Sequence, residues 1–211
     1  GFVATSRDIT ERKRAEEELR QTLKKLRGVL EQTVTALASL AEKRDPYTAG
    51  HQRRVTSLAC AIAREMGLTV EQTEGIRVAG AIHDVGKTYV PAEILNKPGV
   101  LTGAERALIR AHSQVGYEIV KGIDFPWPVA QAVLQHHERL DESGYPAGLS
   151  GDEIILEAKI LAVADVVEAM SSHRPFRPAL GIDKALEEIS RNRGILYDCL
   201  LYTSPSPRDR T

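Results

Sequence analysis

Five of the six histidines in this chain fall between positions 51 and 137, and they come with carboxylates at helical spacings. The set is His51, His83-Asp84, His112, His136-His137 and, further on, Asp165. Imidazole and carboxylate together suit first-row transition metals, and seven such groups are more than one ordinary ion takes. An adjacent His-Asp supplies one nitrogen ligand and one carboxylate, and a carboxylate can bridge two ions. A fold that uses this set must gather positions 51 to 165 at one place, around two metals.

Nearly all of the intervening sequence has a helical period. His51 to Met66 is amphipathic and stops at Gly67, and Val70 to Val85 carries an apolar face (Ile76, Ala79, Ile82) that delivers His83-Asp84 at its end. Thr102 and Glu105 have capping-box spacing and open a helix expected to hold His112. Pro126-Trp127-Pro128 breaks the chain before Val129 to Arg139, which presents His136-His137. Asp141 to Gly151 is rich in glycine and proline and reads as a loop. Ile154 to Ser171 is strongly apolar and reads as a buried central helix with Asp165 inside it, where uncompensated charge is expensive. Asp183 to Asn192 makes a last helix, so the fold class is all-α.

Upstream, Leu19, Leu23, Leu26, Leu30, Thr33, Leu37 and Leu40 are spaced 4-3-4-3-4-3, a heptad seam. Residues 19–30 suit a parallel two-stranded coiled coil and hence a homodimer, and 33–40 suit a helix packed on its own domain. Asp45-Pro46 ends this helix. The opening GFVATSRDIT is β-like at Phe2–Thr5, either the last strand of a preceding domain or an ordinary strand stub. The closing CLLYTSPSPRDRT, residues 199–211, abandons helical character and reads as a disordered or foreign tail.

With 211 residues there is room for one full domain plus an appendage. A net charge of −1 gives no global electrostatic case for DNA or an anionic membrane. Cys60 and Cys199 do not make a disulfide framework. With no apolar stretch of spanning length and no signal peptide, the chain reads as soluble and cytoplasmic. Starting at Gly1, it reads as a piece of a longer protein with room for an upstream membrane anchor.

Four stretches carry a resemblance: RDPYTAGHQRRV (44–55), HDVGK (83–87), HHERLDESGYPAGL (136–149) and KILAVADVVEAMSSHRPFR (159–177). Over residues 29–198 the chain resembles the HD-GYP family of cyclic dinucleotide phosphodiesterases, a branch of the HD superfamily of metal-dependent phosphohydrolases. The resemblance implies an HD-type helical bundle over 45–198, preceded by a linker helix over 11–44. Residues 1–10 look like the end of a PAS sensor domain. It implies one metal held by His51, His83, Asp84 and Asp165 and a second by His112, His136 and His137, with Asp84 bridging. The ions expected are two divalent transition metals, iron or manganese, since mixed nitrogen and oxygen ligands without thiolate do not select zinc.

The implied reaction is hydrolysis of cyclic di-GMP to pGpG or GMP by a two-metal-activated hydroxide, under an upstream sensor. Asp84 and Lys87 would be catalytic, and Lys87, Tyr145, Arg174 and Arg177 would bind substrate. GGDEF-type or other signalling proteins are the implied partners. Some family members carry a glutamate, a third-metal ligand, where this chain has Tyr47, so two metals are expected. The family pattern has glycine where this chain has Glu142; if that position needs a positive φ, Glu142 strains the loop. Glu138 reads either as an acceptor for a ligand imidazole or as an exposed helix-end charge. Two alternatives stand beside this reading: an HD-type hydrolase of another nucleotide, and a catalytically weak nucleotide-binding signalling module.

Overall fold

The structure is a computed structural model that describes residues 2–44, 50–172 and 179–198. The chain divides into two compact units, residues 1–36 and 37–211. Helix α1, Phe2–Arg44, supplies the first unit and the start of the second. The strand expected at Phe2–Thr5 is helix instead. A four-residue strand leaves its N–H and C=O groups open unless another strand pairs with it, and none is present among the described residues; a helix satisfies them internally.

In the first unit Leu19, Leu23 and Leu26 of the heptad seam are 60%, 49% and 60% exposed, so the apolar stripe is uncovered. Around it run exposed ion pairs such as Arg12–Glu16 and Arg20–Glu17, each worth a few tenths of a kcal/mol at about i+3 or i+4 spacing. In the second unit the seam register shifts. Ala41 is buried and Leu37 and Ala38 half-buried, while Leu40 is 57% exposed. The face turned inward therefore lies one position away from the one expected. Helix α1 is described as far as Arg44, and Asp45-Pro46, expected to end it, lies outside the described residues.

The second unit continues with α2 (His51–Glu65), α3 (Val70–Ile82), a 3-10 turn (Val85–Tyr89), α4 (Ala92–Leu95), α5 (Gly103–Arg110), α6 (His112–Val120), α7 (Val129–Gln135), α8 (Leu156–Ser171) and α9 (Ile182–Arg191). Among the described residues the only β-type pairs are isolated bridges, Asp141 with Ser150 and Arg193 with Tyr197. The all-α expectation holds. None of the described helices is long and apolar enough to cross a membrane.

Helix α8 lies at the centre, against α2, α3, α7 and α9. Its Ala158, Ile160, Leu161 and Ala164 are fully buried, as are Val55 and Ala59 of α2 and Ile76 and Ile82 of α3, the helices it packs against, which explains its near-continuous apolar sequence. Truncating a side chain such as Leu161 to alanine costs about 2–5 kcal/mol. On the other side Val163 and Val167 pack with Ala185, Ile189 and Tyr197, joining α9 to the bundle. With its amide nitrogen turned toward them, the buried Gln52 donates to the carbonyls of Ala38 and Ala81, which ties the end of α1 to α2 and α3.

Two local features set the site. Thr102 and Glu105 form the expected capping box, yet the helix they open ends at Arg110, and His112 is the first residue of α6. The break falls at Ala111. Gly86, in the 3-10 turn, lies against α6 so closely that a Cβ there would overlap the carbonyl of His112. Only glycine permits that approach.

Candidate metal centre

Three of the histidines stand at the ends of helices, and the helix ends orient them. The last turn of a helix leaves its carbonyls without partners. His83, His112 and His136 each fold back to donate from Nδ1 to the carbonyl three residues earlier, of Gly80, Ile109 and Val133, every one at 2.7 Å. A carbonyl accepts only, so the proton sits on Nδ1 and each Nε2 keeps its lone pair. These lone pairs converge. His112 Nε2 lies 3.2 Å from His136 Nε2, and His83 Nε2 is buried with no hydrogen-bond partner among the described residues. An orphaned buried acceptor is costly, and a cation relieves it.

Donor atoms gather into two groups, His51-His83-Asp84 and His112-His136-His137, with the ligand atoms of each within 4.8 Å of one another. Asp84 stands between them. Its Oδ2 lies 3.5 Å from His83 Nε2 and 3.9 Å from His51 Nε2, and its Oδ1 lies 3.5 Å from His112 Nε2. Asp165, on α8, reaches His51 Nε2 at 3.1 Å. Two neutral or anionic donor sets that share one carboxylate fit two divalent ions.

Except at His51, the charge states agree with this use. Burial raises the cost of charging Asp84, but Lys87 and the surrounding imidazoles outweigh it and hold the carboxyl well below its usual range. Asp165 is kept ionised in the same way, chiefly by His51. Burial pushes His112 and His136 down, and His137 to about 3, so these rings stay neutral and able to ligate. His51 goes the other way: burial opposes its charge, yet Asp165 and Glu168 raise it to about 9.

Lys87 Nζ lies 2.8 Å from Asp84 Oδ2, at the edge of the site, with 14% of its side chain exposed. The 3-10 turn places it one turn after Asp84. Tyr145 lies over the second group, its ring stacked on His137 at 4.7 Å and 26° and its hydroxyl pushed up by burial. Its loop is held from below. Glu138 is buried and accepts from the backbone N–H of Ala147 at 2.8 Å and of Leu149 at 3.1 Å. Glu138 thus neither orients an imidazole nor lies exposed, because the loop's own amides take both oxygens. Gly144 passes so near that a Cβ would overlap the backbone of Glu138 and Arg139. Glu142 does adopt a positive φ, 65°, the strain expected for a side chain where glycine fits.

A model of the HD domain family matches residues 35–201. The chain belongs to the HD domain family. Among curated relatives it is similar to the cyclic di-GMP phosphodiesterase response regulator RpfG of Xanthomonas campestris, with 41% identity over 79% of this chain and 45% of that protein. It is also similar to the 3'3'-cGAMP-specific phosphodiesterase 3 of Vibrio cholerae, with 39% identity over 77% of this chain and 35% of that protein. A crystal structure of a cyclic GMP-AMP specific phosphodiesterase from Vibrio cholerae superposes with a TM-score of 0.62 at 18% identity, covering 84% of this chain and 49% of that one, a likeness of fold. The chain spans less than half the length of these curated relatives.

All seven expected donors of the HD domain come together: His51, His83, Asp84, His112, His136, His137 and Asp165. Lys87 and Tyr145 lie beside them. Arg174, Arg177 and Tyr47 lie outside the described residues. One participant was not anticipated. Glu168, one turn beyond Asp165, accepts from His51 Nδ1 in a close buried contact and also from Arg54 Nε at 2.7 Å and Ser172 Oγ at 2.6 Å. A second carboxylate inside an apolar helix was the available signal.

Proposed function

We propose that this HD domain is a cytoplasmic phosphodiesterase that hydrolyses cyclic di-GMP to pGpG or GMP, using two divalent transition metals. The observation that carries the reading is Asp84, whose two oxygens face two separate histidine groups. The groups would hold one ion at His51, His83, Asp84 and Asp165 and another at His112, His136 and His137. Iron or manganese suits these thiolate-free ligands. Divalent ions in such a site lower the pKa of water and offset charge on a phosphate oxygen.

The side chains supply the rest. Backbone carbonyls lock three imidazoles in the ligating tautomer, and Glu168 holds the ring of His51. Lys87, partly exposed and paired with Asp84, is placed to turn its ammonium toward a phosphate oxygen as negative charge develops there. Tyr145, stacked on His137, would meet substrate beside the second histidine group. Arg174 and Arg177 would add bidentate phosphate contacts. Residues 11–44 would act as a signalling helix joining two copies, since the leucine stripe of the first unit is uncovered. Upstream sensing and signalling partners would act through it.

A second cyclic dinucleotide, 3'3'-cGAMP, is favoured by one comparison, because a relative specific for it is nearly as similar as one named for cyclic di-GMP. The test is product analysis after anaerobic purification and loading with Fe(II) or Mn(II), with both cyclic dinucleotides and nucleoside triphosphates as substrates. Linear product from cyclic di-GMP supports the reading. Cleavage of triphosphates alone, or binding without cleavage, overturns it.

A further inference from the structure

We infer that Arg110 is a substrate-binding residue which, seated on Tyr145, takes the second phosphate of a two-phosphate cyclic nucleotide. The inference rests on the phosphodiesterase reading and goes beyond its metal ligands and its expected arginines. Arg110 ends α5 and is exposed. Its guanidinium carbon lies 5.1 Å from the centroid of the Tyr145 ring. That ring is itself stacked on His137 at 4.7 Å. Guanidinium, phenol and imidazole thus form a column leading outward from the His112-His136-His137 group.

The backbone that carries Arg110 is anchored by the same bonds that orient the site. The carbonyl of Ile109 accepts from His112 Nδ1, and the carbonyl of Arg110 accepts from the hydroxyl of Ser113 at 3.2 Å, Ser113 being fully buried. The position of Arg110 is therefore coupled to that of a metal-binding histidine two residues on. Among the described residues no carboxylate pairs with it. A guanidinium seated on an aromatic face keeps its edge N–H donors free, is weakly hydrated, and matches a phosphate in a bidentate fork.

A cyclic dinucleotide has two phosphodiesters on opposite sides of one ring. If one lies at the metal groups, the other must meet charge at the rim, and this column places a cation there. A simple diester with one phosphate would have nothing for Arg110 to hold. The residue should therefore discriminate between the two kinds of substrate.

The experiment compares parent, Arg110→Ala and Arg110→Lys with cyclic di-GMP and with bis(p-nitrophenyl) phosphate, measuring kcat, KM and metal content for each. Loss of a charge-assisted hydrogen-bonded contact corresponds to about 10- to 100-fold. For Arg110→Ala that factor should appear as a higher KM for cyclic di-GMP and an equal fall in the kcat/KM ratio of the cyclic substrate over the simple diester. Arg110→Lys should recover part of it, and metal content should match the parent. A ratio within twofold of the parent, or a loss of metal that accounts for the fall, overturns the inference while leaving the phosphodiesterase reading intact. A parent protein that cleaves the simple diester but not cyclic di-GMP overturns the reading, and the inference with it.

Discussion

Truncating Glu168 to alanine should weaken metal binding at one group and spare the other. The Glu168 carboxylate is buried and receives His51 Nδ1, two nitrogens of Arg54 and the hydroxyl of Ser172. The Arg54 side chain is 49% exposed and can return to water, whereas the His51 side chain is 3% exposed and cannot. The loss therefore falls on His51, whose ring is left without its Nδ1 acceptor and free to rotate. Removing such an acceptor from behind a metal-binding imidazole costs about 10- to 100-fold in metal affinity, which is roughly 1.4–2.7 kcal/mol. Titration of metal-free protein with Mn(II), followed by total metal analysis, should show one weakened site in Glu168→Ala and one at parental affinity. Glu168→Gln, which keeps an acceptor oxygen, should fall between. Parental affinity at both sites, or equal weakening of both, would refute the assignment of Glu168 to His51.

Three further outcomes follow from the same geometry. Metal-free protein should be most stable near pH 6.5. The contribution of His51, held at about 9, is present below its ordinary 6.5 and lost as pH rises through 9, and that of His137, held at about 3, is present above 6.5 and lost as pH falls; the His51 part is on the order of 3 kcal/mol, and thermal melts that rise steadily from pH 6 to 9 would contradict it. Glu142→Gly should relieve about 1–2 kcal/mol of left-handed strain against roughly 0.5–1 kcal/mol of added chain entropy, giving a Tm higher by a degree or more; a lower Tm means the loop does not bear that strain. Leu23→Lys with Leu30→Lys should shift the protein to monomer in analytical ultracentrifugation with metal content unchanged, and a parent that is strictly monomeric at high concentration removes the case for a coiled-coil linker.

The histidine set was legible because metal chemistry demands particular side chains, and its helical spacing announced helices that could gather it. Much of what positions those side chains was not. The carbonyls of Gly80, Ile109 and Val133 carry no residue identity, and their role emerges only because His83, His112 and His136 stand at helix ends. Glu168 serves a histidine 117 positions away, a distance no local pattern spans. Glu138 was visible as a charge next to His137, but its partners are backbone amides of a loop that folds back over it. The break at Ala111 was hidden because Leu108, Ile109 and Val115 continue a plausible helical period through it. The strand expected at Phe2–Thr5 failed for a different reason: β-like composition is a weak guide without a partner strand, and none is present among the described residues.

Asp84 decides the account. Its oxygens face both histidine groups, so one carboxylate should be worth two ions. The direct measurement is metal stoichiometry and cyclic di-GMP hydrolysis for Asp84→Ala beside the parent, both purified anaerobically and loaded with Fe(II) or Mn(II). The parent should hold two ions per chain and release linear product, and Asp84→Ala should lose bound metal and hydrolysis together. Near-parental activity in Asp84→Ala, or a parent that binds a single ion, would contradict the two-metal centre.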